Sequence, residues 1–154
     1  MTQIRFYHLE RQKPAQALAA LLEKVMTLHP RILVQSSDET SLKKLSTALW
    51  SAKPNSFIPH DIAGSKHDKN QPILLTADQD NTNESEMLVL MGSADNDAIE
   101  TFKLCCMMFD GTQQEELSHA RASWKTYKEK GYALTYWQQG PKGWEQKAQE
   151  NIAA

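Results

Sequence analysis

The sequence predicts an α/β layered fold with a mainly parallel sheet of about five strands and helices on both faces. Strand-like and helical segments alternate, with short connections, through residue 50. The later apolar runs are short and are bounded by turn residues, which is typical of buried strands. The length of 154 residues and the hydrophobic fraction of 40% suit one domain with a substantial core.

The first half of the chain supplies two strands and two helices of this fold. Residues 4–9 are rich in Ile, Phe and Tyr, which favours a strand, and a helix follows from Pro14 at a first-turn position. Residues 31–35 form a short apolar run that predicts a second, buried strand. Ser37 or Asp38 can cap the helix after it.

The second half supplies the remaining strands and the last long helix. Three apolar runs predict strands, at residues 72–75, 87–91 and 104–109. A helix is expected from Thr112 to Lys130 with Gly131 as its C-cap, and residues 132–137 can add an edge strand. We therefore predict one domain over residues 1–139.

Two other stretches are expected to lack regular structure. The segment 52–71 contains Pro54, Pro59 and Gly64, and a loop of this length inside a compact domain is usually functional or poorly ordered. Residues 140–154 are expected to be a loosely ordered tail in which Trp144 packs back.

The usual chemistry of an α/β nucleotide-binding enzyme is absent. The turn after the first strand, residues 8–14, has no glycine, so neither a dinucleotide fingerprint nor a P-loop can be written there. The prediction is a Rossmann-like scaffold without a phosphate-binding loop, for which no cofactor is expected. A small nucleotide-related enzyme on this scaffold remains the alternative. His60-Asp61 and His67-Asp68 are the nearest approach to a metal pattern, and no metal site is predicted.

The net charge and the two cysteines indicate which kinds of partner and which cellular compartment fit this sequence. A net charge of −2 and a pI near 6.2 argue against a protein whose main partner is nucleic acid. The stretch 78–100 carries seven acids and no Lys or Arg, as expected of solvated loops. Cys105 and Cys106 are adjacent and point to opposite faces of a strand, which favours buried thiols in a reducing cytoplasm. The N-terminus has no signal-peptide pattern, and no apolar stretch has membrane-spanning length.

The last helix is locally basic. Between residues 117 and 132 there are four cations and one acid. At about 100° per residue, one side of this helix is apolar and carries Leu117, Ala120, Trp124 and Tyr127. A cationic strip lies beside it and consists of Arg121, Lys125 and Lys128. This arrangement suits a ligand that has both negative charge and an apolar side chain. Two alternatives are a solvated helix face and a surface that binds nucleic acid directly.

Two stretches together resemble one known family. The first is the run Leu-Trp-Ser-Ala-Lys-Pro-Asn-Ser-Phe-Ile-Pro-His-Asp-Ile-Ala-Gly over residues 49–64, and the second is Arg-Ala-Ser-Trp-Lys-Thr-Tyr-Lys over residues 121–128. With the Phe-Tyr-His-Leu strand at residues 6–9, they resemble the chi subunit of bacterial DNA polymerase III holoenzyme. The position of Trp124 is more often tyrosine in that family, and this chain continues past Trp137, where members tend to end.

The resemblance implies a three-layer α/β/α fold and a non-catalytic accessory role in DNA replication. The family pairs with the psi subunit, which tethers it to the clamp loader, and it binds the acidic C-terminal tail of the single-stranded DNA-binding protein, which ends in Asp-x-Pro-Phe. DNA would then be contacted only indirectly, in the cytoplasm and without a membrane.

The matching positions give two candidate sites. The tail peptide would be bound by Arg121, Trp124, Lys125, Lys128 and Gly131. The psi subunit would be bound by Trp50, Phe57, Ile58 and Pro59. His60 is expected to fix the loop by hydrogen bonds.

Overall fold

The computed structural model describes residues 2–51 and 59–152. Three α-helices lie in this part of the chain: α1 (Pro14–Val25), α2 (Glu39–Ser51) and α3 (Gln114–Glu129). Eight strands accompany them: β1 (Gln3–Leu9), β2 (Ile32–Gln35), β3 (Asp61–Ile62), β4 (Ile73–Thr76), β5 (Met87–Met91), β6 (Leu104–Asp110), β7 (Ala133–Gly140) and β8 (Gly143–Glu150). Among these residues, no helix is long and apolar enough to cross a membrane.

All eight strands join one sheet, in the order β3-β4-β2-β5-β6-β1-β7-β8. Every strand pair is parallel except β7 with β8, which form an antiparallel hairpin. The predicted α/β fold with a mainly parallel sheet is confirmed, but the sheet has more strands than the five expected. One addition, β3, lies inside the segment predicted to be a loop. Beyond β1, β7 is the strand that residues 132–137 were expected to add, and β8 is a further strand.

Helices cover both faces of the sheet. Helices α1 and α2 pack on one face, over a core that includes Leu9, Val34 and Cys106. Helix α3 packs on the other, over a core that includes Phe6 and Cys105. The alternation of side chains along a strand explains why neighbouring residues enter different cores. The two adjacent cysteines are both buried and free, and they lie in opposite layers.

Local sequence signals account for the helix starts. Pro14 occupies the first turn of α1, where its missing N–H costs no hydrogen bond. Before α2, a side-chain oxygen of Asp38 accepts a hydrogen bond from the backbone N–H of Ser41 at 2.7 Å. Of the two capping residues considered from sequence, Asp38 is therefore the one that caps the helix.

The C-terminal segment differs from expectation. We expected residues 140–154 to be loosely ordered, whereas Gly143–Glu150 form the edge strand β8. The Gly140–Gly143 pair closes the tight turn, and Gly143 takes a φ of +117° that favours glycine. Trp144 packs back as expected, with its ring 5.1 Å from that of Tyr7.

A β-bulge decides which way the side chains of β8 point. Gln139 pairs with Trp144 and Trp137 pairs with Gln146, but Tyr136 pairs with Ala148, so Lys147 is the extra residue. The inserted residue reverses the alternation. Trp144 therefore lies on the face of α1, whereas Ala148 lies on the face of α3.

Candidate peptide-binding site

Helix α3 is amphipathic in the way that its periodicity predicts. Ala120 and Tyr127 are buried, and Leu117 and Trp124 are half-buried against the same core. Arg121 and Lys125 are exposed one turn apart along the helix. Within the described ranges, neither of these two cations has an ion-pair partner. These two cations are therefore available to an anionic ligand.

An open recess lies beside the cationic strip. It has a volume of about 410 Å³ and is lined by Arg121, Trp124, Tyr136 and Ala148. The Trp124 ring is held edge-on against Phe6, at a centroid distance of 5.3 Å, and against Tyr136, at 5.7 Å. The recess thus combines two fixed aromatic walls with one guanidinium group. These are the features of a site for an apolar side chain that sits next to a negative charge.

A polar chain fixes Tyr136 from behind. The Tyr136 hydroxyl and Nδ1 of His8 share a hydrogen bond of 2.8 Å. Nε2 of His8 lies 3.2 Å from a carboxylate oxygen of Glu10. Burial raises the pKa of Tyr136, and the nearby Arg121 opposes that shift. Tyr136 therefore stays a neutral wall of the recess at physiological pH.

Lys128 is placed differently from the other two cations of the strip. Its Nζ lies 3.2 Å from a carboxylate oxygen of Glu150 in β8. The side-chain amide of Asn151 donates to the carbonyls of Lys128 and Tyr132, at 3.1 and 3.0 Å. The C-terminal strand thus occupies one end of the strip, and a ligand that used Lys128 would compete with Glu150.

Gly131 serves the helix end. Its φ of +87° lies in the left-handed region, and its N–H donates to the Lys128 carbonyl at 3.1 Å. The C-cap itself is Lys130, one residue before the predicted position, and Gly131 is the left-handed residue that follows it and ends the helix. It does not line the recess.

The two flanks of α3 carry opposite charge. A hollow of about 360 Å³ on the other flank is lined by residues that include Asp95, Asp97 and Glu100. His119 lies on this flank, with Nε2 2.9 Å from a carboxylate oxygen of Asp95. Lys130 also lines this hollow. An acidic ligand is therefore favoured on the flank of Arg121 and Lys125 and disfavoured on the other.

The second predicted site is only partly described. Phe57 and Ile58 lie outside the described residues. Pro59 is half-buried, and Trp50 is 53% exposed at the end of α2. The Trp50 ring lies 4.4 Å from the buried His60 ring, whose Nε2 shares a hydrogen bond of 2.9 Å with the Ser46 hydroxyl. His60 thus fixes this end of the loop by hydrogen bonding, as expected.

Comparison with known proteins identifies the family. The family model described as "DNA polymerase III chi subunit, HolC" matches residues 1–135. The chain belongs to this family. This membership places the chain among DNA-replication proteins and confirms the resemblance described above.

Two chi proteins are similar to the chain. A probable DNA polymerase III subunit chi from Rickettsia prowazekii (strain Madrid E) is 30% identical over 98 residues, which cover 62% of this chain and 58% of that protein. The DNA polymerase III subunit chi from Pseudomonas aeruginosa (strain PAO1) is 24% identical over 138 residues, which cover 87% of this chain and 94% of that protein. The matched part thus spans somewhat over half the length of the first relative and nearly all of the second.

Sequence reasoning found the helix residues of the site but not its other walls. Tyr136 and Ala148 come from β7 and β8 and lie just beyond the residues that the chi family model matches. Phe6 and Tyr136 are register partners in the sheet, and their rings stack at 6.1 Å. The aromatic residue in the predicted edge strand was the available signal for Tyr136, whereas nothing local indicated Ala148.

Proposed function

We propose that this chi-family protein is a non-catalytic, cytoplasmic adaptor of the replisome. One surface binds the acidic C-terminal tail of the single-stranded DNA-binding protein, and another pairs with the psi subunit, which links the adaptor to the clamp loader. The observation that carries the first part is the juxtaposition of two unpaired cations, Arg121 and Lys125, with the recess between Trp124 and Tyr136.

The groups at the end of such a tail can be assigned, one after another, to the recess and to the cations beside it. Its terminal Phe side chain would enter the recess between the aromatic walls, and its terminal carboxylate would meet the Arg121 guanidinium, which can bind a carboxylate through two parallel hydrogen bonds. The preceding acid would meet Lys125, one turn further along the helix. Acidic residues further upstream would compete with Glu150 for Lys128.

The test of the tail site is fluorescence anisotropy of a labelled acidic peptide ending in Pro-Phe. Arg121→Ala and Lys125→Ala should each weaken binding by about 1–3 kcal/mol, the range for a hydrogen bond to a charged group. Lys130→Ala is the matched control, because it removes the same charge from the acidic flank of the same helix and should leave the affinity nearly unchanged. A double variant of Arg121 and Lys125 that binds like the wild type would leave the strip a solvated helix face.

Salt separates the charged from the apolar contribution. Binding by the wild type should weaken as salt rises, because exposed charge pairs are screened. Trp124→Ala should weaken binding with a smaller change in salt dependence, because it removes apolar contact. Deletion of the terminal Phe from the peptide should cost at least as much as loss of either cation. Equal salt slopes for Trp124→Ala and Lys125→Ala would contradict this division of roles.

The psi surface is tested separately, by co-purification with the psi subunit. Phe57→Asp should abolish pairing while the protein stays folded, because a charge buried in an apolar interface is strongly unfavourable. Leu28→Asp is the control, since Leu28 is 75% exposed and distant in sequence from the loop. A folded Phe57→Asp variant that still pairs with psi would place the interface elsewhere.

A further inference from the structure

A second pocket lies on the opposite face of the sheet, between α1 and the β7–β8 hairpin. It has a volume of about 340 Å³, which is within the range of small-ligand sites. Its walls include Tyr7 of β1, Trp137 of β7 and Trp144 of β8, so three adjacent strands each contribute one half-buried aromatic ring. We call it the aromatic pocket. The proposed tail site does not use it, because Tyr7 and Phe6 point to opposite faces of β1.

The sheet register brings the three rings together. Tyr7 and Trp137 are direct register partners in the parallel β1–β7 pair. The tight turn pairs Trp144 with Gln139, which lies on the same face as Trp137, and the Trp144 ring meets Tyr7 edge-on at 5.1 Å. The Trp137 indole N–H donates to the Thr135 hydroxyl at 3.1 Å, which fixes the orientation of that ring. The pocket therefore has rigid aromatic walls.

Two cations flank the rings. Arg5 lies two residues before Tyr7 on the same strand face, and Lys24 is exposed in the last turn of α1. In the described part of the chain, neither cation has an ion-pair partner, and no acid lines the pocket. Glu145 belongs to the other face of β8, where it pairs across the hairpin with Gln138. The aromatic pocket is thus locally positive in a chain whose net charge is −2.

This combination of groups selects a particular ligand chemistry. Flat aromatic rings on a sheet face, flanked by cations, are how many proteins hold unpaired bases, since every base offers a face for stacking and every nucleotide carries a phosphate. An acidic peptide would match the two cations but would fill three rings only if it were unusually rich in aromatic residues. The pocket volume limits the contact to a very short stretch of strand.

We propose that the aromatic pocket binds one or two unpaired nucleotides of single-stranded DNA, with a base against Trp137 and Trp144 and the phosphates near Arg5 and Lys24. The contact is direct and separate from any tail peptide on the α3 face. With two cations, binding is weak and only mildly dependent on salt, because counterion release scales with the number of phosphates neutralised. Such a weak contact would strengthen binding when the protein is already held near single-stranded DNA by a partner.

The experiment is anisotropy of a short fluorescein-labelled oligothymidylate, measured with the full chain at low and at physiological salt. The double variant Arg5→Gln/Lys24→Gln should lose about tenfold in affinity, and its slope of log affinity against log salt should become shallower by about 1.4, or 0.7 for each phosphate contact. Trp137→Ala should lose about fivefold or more, the cost of one stacking partner. Because Trp137→Ala can disturb the hairpin, the Arg5→Gln/Lys24→Gln variant decides the result if Trp137→Ala misfolds.

The matched control is Arg121→Gln/Lys125→Gln, which removes the same number of charges from the other face. It should bind the oligonucleotide like the wild type, whatever it does to an acidic peptide, so this proposal and the tail site fail independently. The proposal is overturned if the wild type shows no binding or if this control loses as much affinity as the Arg5/Lys24 variant. It is also overturned if free thymidine monophosphate displaces the oligonucleotide at the same nucleotide concentration, since the ligand would then be a free nucleotide.

Discussion

His8 and Gly111 are closely packed behind Tyr136, one wall of the proposed tail site. Gly111 follows β6, and a Cβ atom placed on it would overlap the imidazole ring of His8. The ring cannot swing aside freely, because it contacts Phe109, shares a hydrogen bond with Tyr136 and lies beside Glu10. A glycine is thus required here for space. Any side chain at position 111 would therefore displace His8, which holds the Tyr136 hydroxyl.

We expect Gly111→Ala to destabilise the fold by about 1–3 kcal/mol, the usual range for overpacking a well-filled site. Urea unfolding measures the loss. The double variant His8→Ala/Gly111→Ala should lose less than the sum of the two single variants, because truncation of His8 provides the missing space. Strict additivity would show that the two residues do not clash.

Tyr136→Phe tests the hydrogen bond itself. Removal of the hydroxyl leaves Nδ1 of the buried His8 without its partner, so the free energy of unfolding should fall by about 1–2 kcal/mol. The aromatic wall remains, and the affinity for an acidic peptide ending in Phe should therefore change much less than in Trp124→Ala. Denaturant titration and peptide anisotropy, run on the same protein, separate the two effects.

At the scale of elements, one extra residue in β8 determines which of its side chains lie on each face of the sheet. The extra residue Lys147 places Trp144 over α1, whereas Ala148 and Glu150 lie on the face of α3. If Lys147 were regularly paired, Trp144 and Ala148 would share a face, because they are four residues apart in the strand. The aromatic pocket and the wall of the tail recess could not then both be complete.

Deletion of Lys147 would make Gln146 and Ala148 consecutive in a regular strand with their present partners, Trp137 and Tyr136, so Trp144 and Ala148 would keep their faces. The deletion should therefore change the free energy of unfolding by less than about 1 kcal/mol. Lys147→Ala, which keeps the bulge and removes only the side chain, should stay within about 0.5 kcal/mol of the wild type, as surface substitutions usually do. Both values come from equilibrium unfolding. If the deletion instead costs about 3 kcal/mol or more, as loss of the Trp144 packing would, the bulge itself holds the register of β8.

The strands that the sequence predicted correctly are mostly those that are buried on both faces of the sheet. The runs in β2, β5 and β6 are almost continuously apolar because both faces of these strands are covered, so they were predictable. Strand β8 has one tryptophan among polar residues and lies at an edge, where no burial pattern marks it. Helical periodicity placed Arg121, Lys125 and Trp124 on α3. It could not show that Glu150 pairs with Lys128, because that contact depends on the register of a distant hairpin.

At the scale of the whole molecule, the layers on both faces of the sheet contain buried side chains whose pKa values are raised. Burial raises the pKa of the Cys106 thiol, in the α1 and α2 layer, to about 12. In the α3 layer, burial raises the pKa of Cys105 well above its usual range and also raises that of Tyr127. The folded state therefore holds these protons more tightly than the unfolded chain does, in both halves of the core.

The consequence is a loss of stability in alkali. Below about pH 8.5, where unfolded thiols keep their protons, the groups contribute fully. Above that pH the unfolded state loses protons that the folded state retains, so each thiol lowers the free energy of unfolding by up to about 1.4 kcal/mol per pH unit until its folded pKa is reached. Urea unfolding between neutral pH and pH 10.5 measures this slope. Cys106→Ala should make it shallower, and an unchanged slope would contradict the assignment.

The bulge in β8 also bears on self-association. One edge of the sheet is the two-residue β3, too short to template another strand, whereas β8 presents eight residues along the other edge. A long straight edge strand invites pairing with a second copy and growth into aggregates. The inserted Lys147 bends this edge. An incoming strand would also have to pack against the Lys147 ammonium group and the carboxylate of Glu145 beside it. The residue that reverses the alternation of side chains in β8 thereby also makes this edge a poorer template for aggregation.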